Sequence, residues 1–135
     1  MRLWHKDLIP LLPRQQLLGQ WRECVLIAKN IAENGTPNHV LVNKVTEYPI
    51  GHFTRYCRHV FYEMVNRGYN SNYHRIVMYL DLDAGWNISL EKLFDGWHND
   101  RYLAQCLANL QEKYDCGAVP EEDWKKITAR WPEWR

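Results

Sequence analysis

The sequence predicts an all-α protein, a compact single-domain helical fold of about four to six helices covering residues 1–135. Three observations carry that expectation. Apolar residues recur at spacings of three and four over several long stretches, which is the stripe of a helix buried on one face. No set of segments alternates apolar and polar residues with the period of two that half-buried strands show. A chain of 135 residues is long enough to bury most of its unfolded surface in one core, and it carries no internal repeat or low-complexity run.

The elements follow in order. Pro10 and Pro13 punctuate the opening segment, and Pro13 suits the first turn of a helix. From there to Asn34-Gly35, the residues Leu17, Trp21, Cys24, Ala28 and Ile31 form a helical stripe, and Gly35 is a natural stop. Thr36-Pro37-Asn38 and Tyr48-Pro49-Ile50-Gly51 break the chain into a loop. A second helix is expected from about His52 to Arg67, with Phe53, Tyr56, Cys57, Val60, Phe61 and Met64 inward and Gly68 at its end. Residues 73 to 82 fit a buried helix or a strand and are read as helix. Asp81 to Trp97 reads as irregular chain with one short helix around Leu90 to Phe94. Asn99 or Asp100 can cap the next helix, whose inner face is Leu103, Cys106, Leu107 and Leu110 and which ends before Gly117. Pro120 starts the last, with Glu121, Glu122 and Asp123 suited to its N-terminal dipole, Trp124, Ile127 and Trp131 inward, and Pro132 as the close.

Composition excludes several classes. No apolar run approaches the roughly 20 residues that cross a bilayer, and no signal-peptide core opens the chain, so a cytoplasmic protein without a membrane is expected. Cys24, Cys57, Cys106 and Cys116 form no CxxC pair, which argues against a zinc site, and the first three fall on apolar faces as reduced thiols. Asp81-Leu82-Asp83-Ala84-Gly85 begins like a calcium loop, but its glycine comes one position early and position twelve is Lys92. His52 and His59, seven apart, read as surface histidines. The net charge of +1 hides an asymmetry: residues 1–75 hold ten Lys/Arg against five Asp/Glu, and residues 76–135 hold seven against eleven. With five of the six histidines also in the first part, a polyanion is expected to dock there.

Chemistry is suggested by Met1-Arg2 and by Trp21-Arg22-Glu23. An α-amine has a reference pKa of about 7.7 to 8.0 against about 10.4 for lysine, so it is a usable nucleophile near neutral pH without burial. Arg2, a bulky basic second residue, favours retention of Met1, which carries the free amine once deformylated. Arg22 and Glu23 project away from the apolar stripe, with Lys29 on the same side; alone, such a pair is an ordinary exposed ion pair.

The Arg2 start, Gln15-Gln16-Leu17-Leu18 leading to Trp21-Arg22-Glu23, and Glu63-Met64-Val65-Asn66-Arg67-Gly68-Tyr69-Asn70 together resemble the pyrimidine-dimer DNA glycosylase family of the phage endonuclease V type. Lys126-Ile127-Thr128-Ala129-Arg130 and Pro132-Glu133-Trp134 look like that family's closing Lys-Ile-x-x-Arg and Pro-x-Trp. The likeness is good over the first third and at Arg67-Gly68, partial in the tail and poor from about residue 74 to 120. It implies a compact all-helical glycosylase and abasic-site lyase that needs no metal or organic cofactor, works as a monomer and takes double-stranded DNA containing damaged pyrimidines. Met1 would be the catalytic amine and Glu23 the catalytic carboxylate. Arg2 and Arg22 match arginines that hold phosphates around the lesion. Gln15 or Gln16 stands where the family places a polar residue near the lesion. Lys29, Arg55 and Arg58 are further candidates for backbone contacts, and Trp134 is the aromatic expected outside as a DNA contact, whereas Trp4, Trp21 and Trp124 are expected in the core. The phage-type enzymes expose a small hydroxyl residue as their nucleophilic terminus; here Met1 takes that place, and the segment before Leu8 is one residue shorter. The competing expectation is a helical nucleic-acid-binding protein that has lost catalysis.

Overall fold

The computed structural model describes residues 2–81 and 83–135, and these hold no strand. Their α-helices are α1 (Arg14–Asn34), α2 (Ile50–Asn66), α3 (His74–Val77), α4 (Asp100–Asp115) and α5 (Glu121–Arg130). Short 3-10 segments occur at Lys6–Leu11, Asn43–Glu47 and Pro132–Trp134.

α1 and α2 form the centre. The predicted stripe of α1 is buried at Leu17, Trp21, Cys24 and Ala28, and that of α2 at Phe53, Tyr56, Cys57, Val60 and Met64. Trp21 meets Phe61 at a centroid distance of 5.5 Å. The Cys57 thiol, desolvated beside Cys24, is pushed well above its usual range, so it is an inert hydrophobe rather than a reactive group. Both helices end through left-handed glycines. The Gly35 N–H donates to Ile31 O at 2.8 Å, and at the end of α2 Tyr69 donates to Met64 O at 3.0 Å around Gly68, a Schellman closure. Arg67 adds a tie there, with bonds to Leu12 O at 2.8 Å and Pro10 O at 3.1 Å and an ion pair to Glu63 at 2.8 Å.

α4 is capped by Asn99, whose side chain accepts from the Tyr102 N–H at 3.0 Å, which settles the Asn99 or Asp100 alternative. α5 joins α4 through the stacked rings of Tyr114 and Trp124, 5.0 Å apart. Two stretches differ from expectation. Among the described residues of 73 to 82, His74–Val77 is the α-helical part; Ile76 and Leu80 are buried, Tyr73 and Tyr79 pack against the core, and Val77 and Met78 face outward. Around Leu90 to Phe94 there is no helix but a series of turns. Phe94 takes a left-handed φ of 51°, its N–H donates to His52 Nδ1 at 3.0 Å, and its ring enters a cluster with Tyr48, His52, Tyr56 and Trp97. Burying that ring outweighs the local helix.

Candidate active site

The first residues of a chain are ordered only when something ties them down, and here the tie is extensive. Leu3 is fully buried, and Trp4, His5 and Lys6 nearly so. The segment forms no regular structure before Lys6, so its backbone polar groups must be satisfied by side chains from elsewhere. From α1, Gln20 receives the Trp4 N–H at 2.7 Å and donates to Arg2 O at 3.0 Å. From α2, the Tyr56 hydroxyl donates to Trp4 O at 2.6 Å and His59 Nε2 to Lys6 O at 3.0 Å. α4 contributes the Tyr102 hydroxyl, which donates to Leu3 O at 2.5 Å. His98, just before α4, accepts the Lys6 N–H on Nδ1 at 3.0 Å. From α5, Arg130 reaches Asp7 O at 3.3 Å.

This segment delivers the Arg2 peptide N–H to Glu23, 3.4 Å from Oε2. Glu23 is half-buried, and its Oε2 also lies 3.4 Å from Gln20 Nε2. Gln20 is 1 % exposed and its orientation is determined: Trp4 presents a donor and Arg2 an acceptor, so only one way round of the amide fits both. The Tyr56 hydroxyl stands 2.9 Å from Gln20 Oε1. Gln20 thus holds the backbone on both sides of Leu3 and the carboxylate of Glu23 from a single buried amide. Sequence reasoning passed over it, although the signal existed: Gln20 is a polar residue on the stripe that runs through Leu17, Trp21 and Cys24.

The other expected residues distribute unevenly. Met1 lies outside the described residues. Arg2 is half-buried, with its guanidinium 5.5 Å from the Trp4 ring centroid and 3.9 Å from Cys106 Sγ. Arg22 and Lys29 are exposed on α1 and line one groove with Arg75, Met78 and Tyr79. Gln15 and Gln16 lie at the start of α1 in a cleft of about 390 Å³ opposite Gly117, Ala118 and Pro120. Gln15 is exposed; Gln16 is half-buried, with an Oε1 that is shielded and unpartnered. Arg55 and Arg58 line a separate depression of about 360 Å³ with Tyr62, Tyr73, Asp83 and Trp86. Arg58 is only 8 % exposed, bonded to Ala84 O at 3.1 Å, and Arg55 bonds Ile88 O at 3.1 Å; these bonds hold the 84–88 loop onto α2.

Three expectations are corrected. Trp134 is half-buried and packs on the core, whereas the exposed tryptophan is Trp86, at 77 %; the Pro132–Trp134 turn folds the ring back. His52 and His59 are not surface histidines but half-buried, each engaged through a ring nitrogen. Burial lowers the pKa of His5, His52 and His59, so these three do not add charge to the basic part at neutral pH. His98, stacked on His5 at 5.2 Å, is pushed down to about 2 by desolvation and by the neighbouring His5 and Lys6. Lys6 is buried with its Nζ on the carbonyls of Glu91 and Leu93, both at 2.7 Å. That amine is spent on structure.

The comparisons with known proteins bear on the same residues. No curated protein and no solved structure matches the chain. A family model described as pyrimidine dimer DNA glycosylase matches residues 1–77, more than half of the sequence. The matched stretch contains the whole Arg2, Trp4, Gln20, Glu23 and Tyr56 network and the Arg67-Gly68 closure of α2. The match and the tied-down start of the chain at Glu23 coincide, and the chain belongs to the pyrimidine dimer DNA glycosylase family.

Proposed function

We propose that the protein is a glycosylase with abasic-site lyase activity whose nucleophile is the α-amine of Met1, assisted by Glu23. The observation that carries this reading is the 3.4 Å approach of the Arg2 peptide nitrogen to Glu23 Oε2, in a segment held on every side.

The neutral amine attacks C1′ of the damaged nucleotide, the glycosidic bond breaks, and the base leaves with the bonding pair and takes a proton. Glu23 stabilises the cationic sugar in the transition state. Nitrogen loses one proton, its lone pair then opens the C1′–O4′ bond, and O4′ takes a proton to leave a protonated imine. Removal of a C2′ proton by Glu23 expels the 3′ phosphate by β-elimination, and water hydrolyses the imine to free the amine. Arg2 and Arg22 hold phosphates beside the lesion. Lys6, the amine nearest in sequence, does not compete because it is buried against two carbonyls.

Borohydride added to deformylated, untagged protein and a duplex carrying a dimer or an abasic site should trap a covalent adduct, and peptide mapping should place it on Met1. No adduct would sink the reading, and an adduct on a lysine would overturn the role of Met1. Salt-sensitive duplex binding without any adduct would instead identify a non-catalytic DNA-binding member of the family.

A further inference from the structure

The segment from Arg75 to Tyr79 builds the second wall of a groove against α1. Ile76 is fully buried and anchors it, and Arg75, Met78 and Tyr79 then face Arg22, Leu26 and Lys29 across a space of about 390 Å³. The lining includes three cations and no carboxylate. Among the described residues none of Arg22, Lys29 and Arg75 makes an ion pair. The groove also presents apolar surface, Met78 at 73 % exposed and Leu26 at 44 %. An exposed thioether flanked by unpaired cations has no packing role. Its ring of positive charge matches a phosphate backbone and excludes a basic partner. Arg22, on one wall of the groove, is the residue before Glu23 on α1.

We infer that this groove receives the damaged duplex, with Arg75 and Lys29 on phosphates and Met78 as a wedge entering the weakened base step. The inference rests on the glycosylase reading. A damaged step is the cheapest to unstack, apolar side chains inserted between base steps kink DNA in minor-groove binders, and a flexible methionine adapts to an irregular gap. The wedge opens the stack, and the amine and Glu23 then reach the exposed sugar.

The test uses a duplex with a tetrahydrofuran abasic analogue beside 2-aminopurine. Wild-type protein should raise the 2-aminopurine fluorescence, and Met78→Ser should cut that gain at least fivefold at saturating protein. Arg75→Gln should weaken binding to every duplex and lower the slope of log K against log salt by about one. Both residues are exposed, so unchanged melting temperatures should accompany these effects. Borohydride trapping by the wild type on a single-stranded abasic oligonucleotide, which has no stack to open, separates the two levels. If trapping occurs but both variants behave as wild type on the duplex, the groove inference falls and the glycosylase reading stands. If trapping fails while the variants change binding as expected, the groove stands on a non-catalytic protein. If wild type neither binds nor traps, both fall.

Discussion

Gln20 and Glu23 share one face of α1 but do different work. Among the described residues Glu23 makes two hydrogen bonds, both long at 3.4 Å, so losing them costs the fold little. Glu23→Gln should reduce cleavage of abasic DNA by two or more orders of magnitude while the melting temperature moves by no more than a few degrees; retained cleavage would remove Glu23 from the mechanism. Gln20, in contrast, satisfies the Trp4 N–H and Arg2 O inside the protein. Gln20→Leu leaves those groups unpaired and should destabilise by about 2 to 4 kcal/mol, measured by urea unfolding. Gln20→Glu keeps the acceptor and sets a second carboxylate beside Glu23. Like charges raise a carboxyl pKa, so the acid limb of the imine-trapping pH profile should move upward; an unmoved limb would place Gln20 away from the reacting carboxylate. Glu23 was legible because it recurs in a recognisable order with Arg2 and Arg22. Gln20 was not, because its partners Trp4 and Tyr56 lie 16 and 36 residues away and no local spacing joins them.

At the scale of elements, helix interiors followed the periodicity, and connections did not. Gly35 and Gly85 both look like breakers in the sequence, and both have positive φ, 76° and 71°. At Gly35 an added Cβ meets nothing within 4 Å, so Gly35→Ala should cost only the left-handed backbone penalty of about 1 to 2 kcal/mol. At Gly85 it would stand 2.0 Å from Gly51 O, where the 83–87 loop crosses the first turn of α2 backbone against backbone. Gly85→Ala should therefore cost more than Gly35→Ala, about 3 kcal/mol or above, in parallel thermal unfolding; equal losses would contradict the close crossing. Neither the crossing nor the left-handed Phe94 can be read locally, since each is decided by a partner more than 30 residues distant in sequence.

Across the whole molecule, the histidines decide how stability responds to acid. The folded pKa of His98 is about 2, below its ordinary 6.5, so the neutral ring is what the fold accommodates. Its contribution is fully present above pH 6.5 and is lost as pH falls from 6.5 toward 2, approaching about 1.4 kcal/mol per pH unit for one proton taken up on unfolding. His5, His52 and His59 act in the same direction. His98→Asn, which retains an acceptor for the Lys6 N–H, should flatten the fall in melting temperature between pH 6.5 and 4; an unchanged slope would show that His98 is not the group responsible. The sequence by itself determined the helical class, the faces of α1, α2, α4 and α5, most of their caps and the family, because these depend on periodicity, punctuation and the order of residues along the chain. Only the tertiary structure decided that residues 3 to 6 are buried, that Gln20 and Tyr56 hold this segment against Glu23, and that Arg75 and Met78 face Arg22 and Lys29. Those arrangements are set by hydrogen bonds and packing between residues far apart in the chain, where no local pattern constrains the partner.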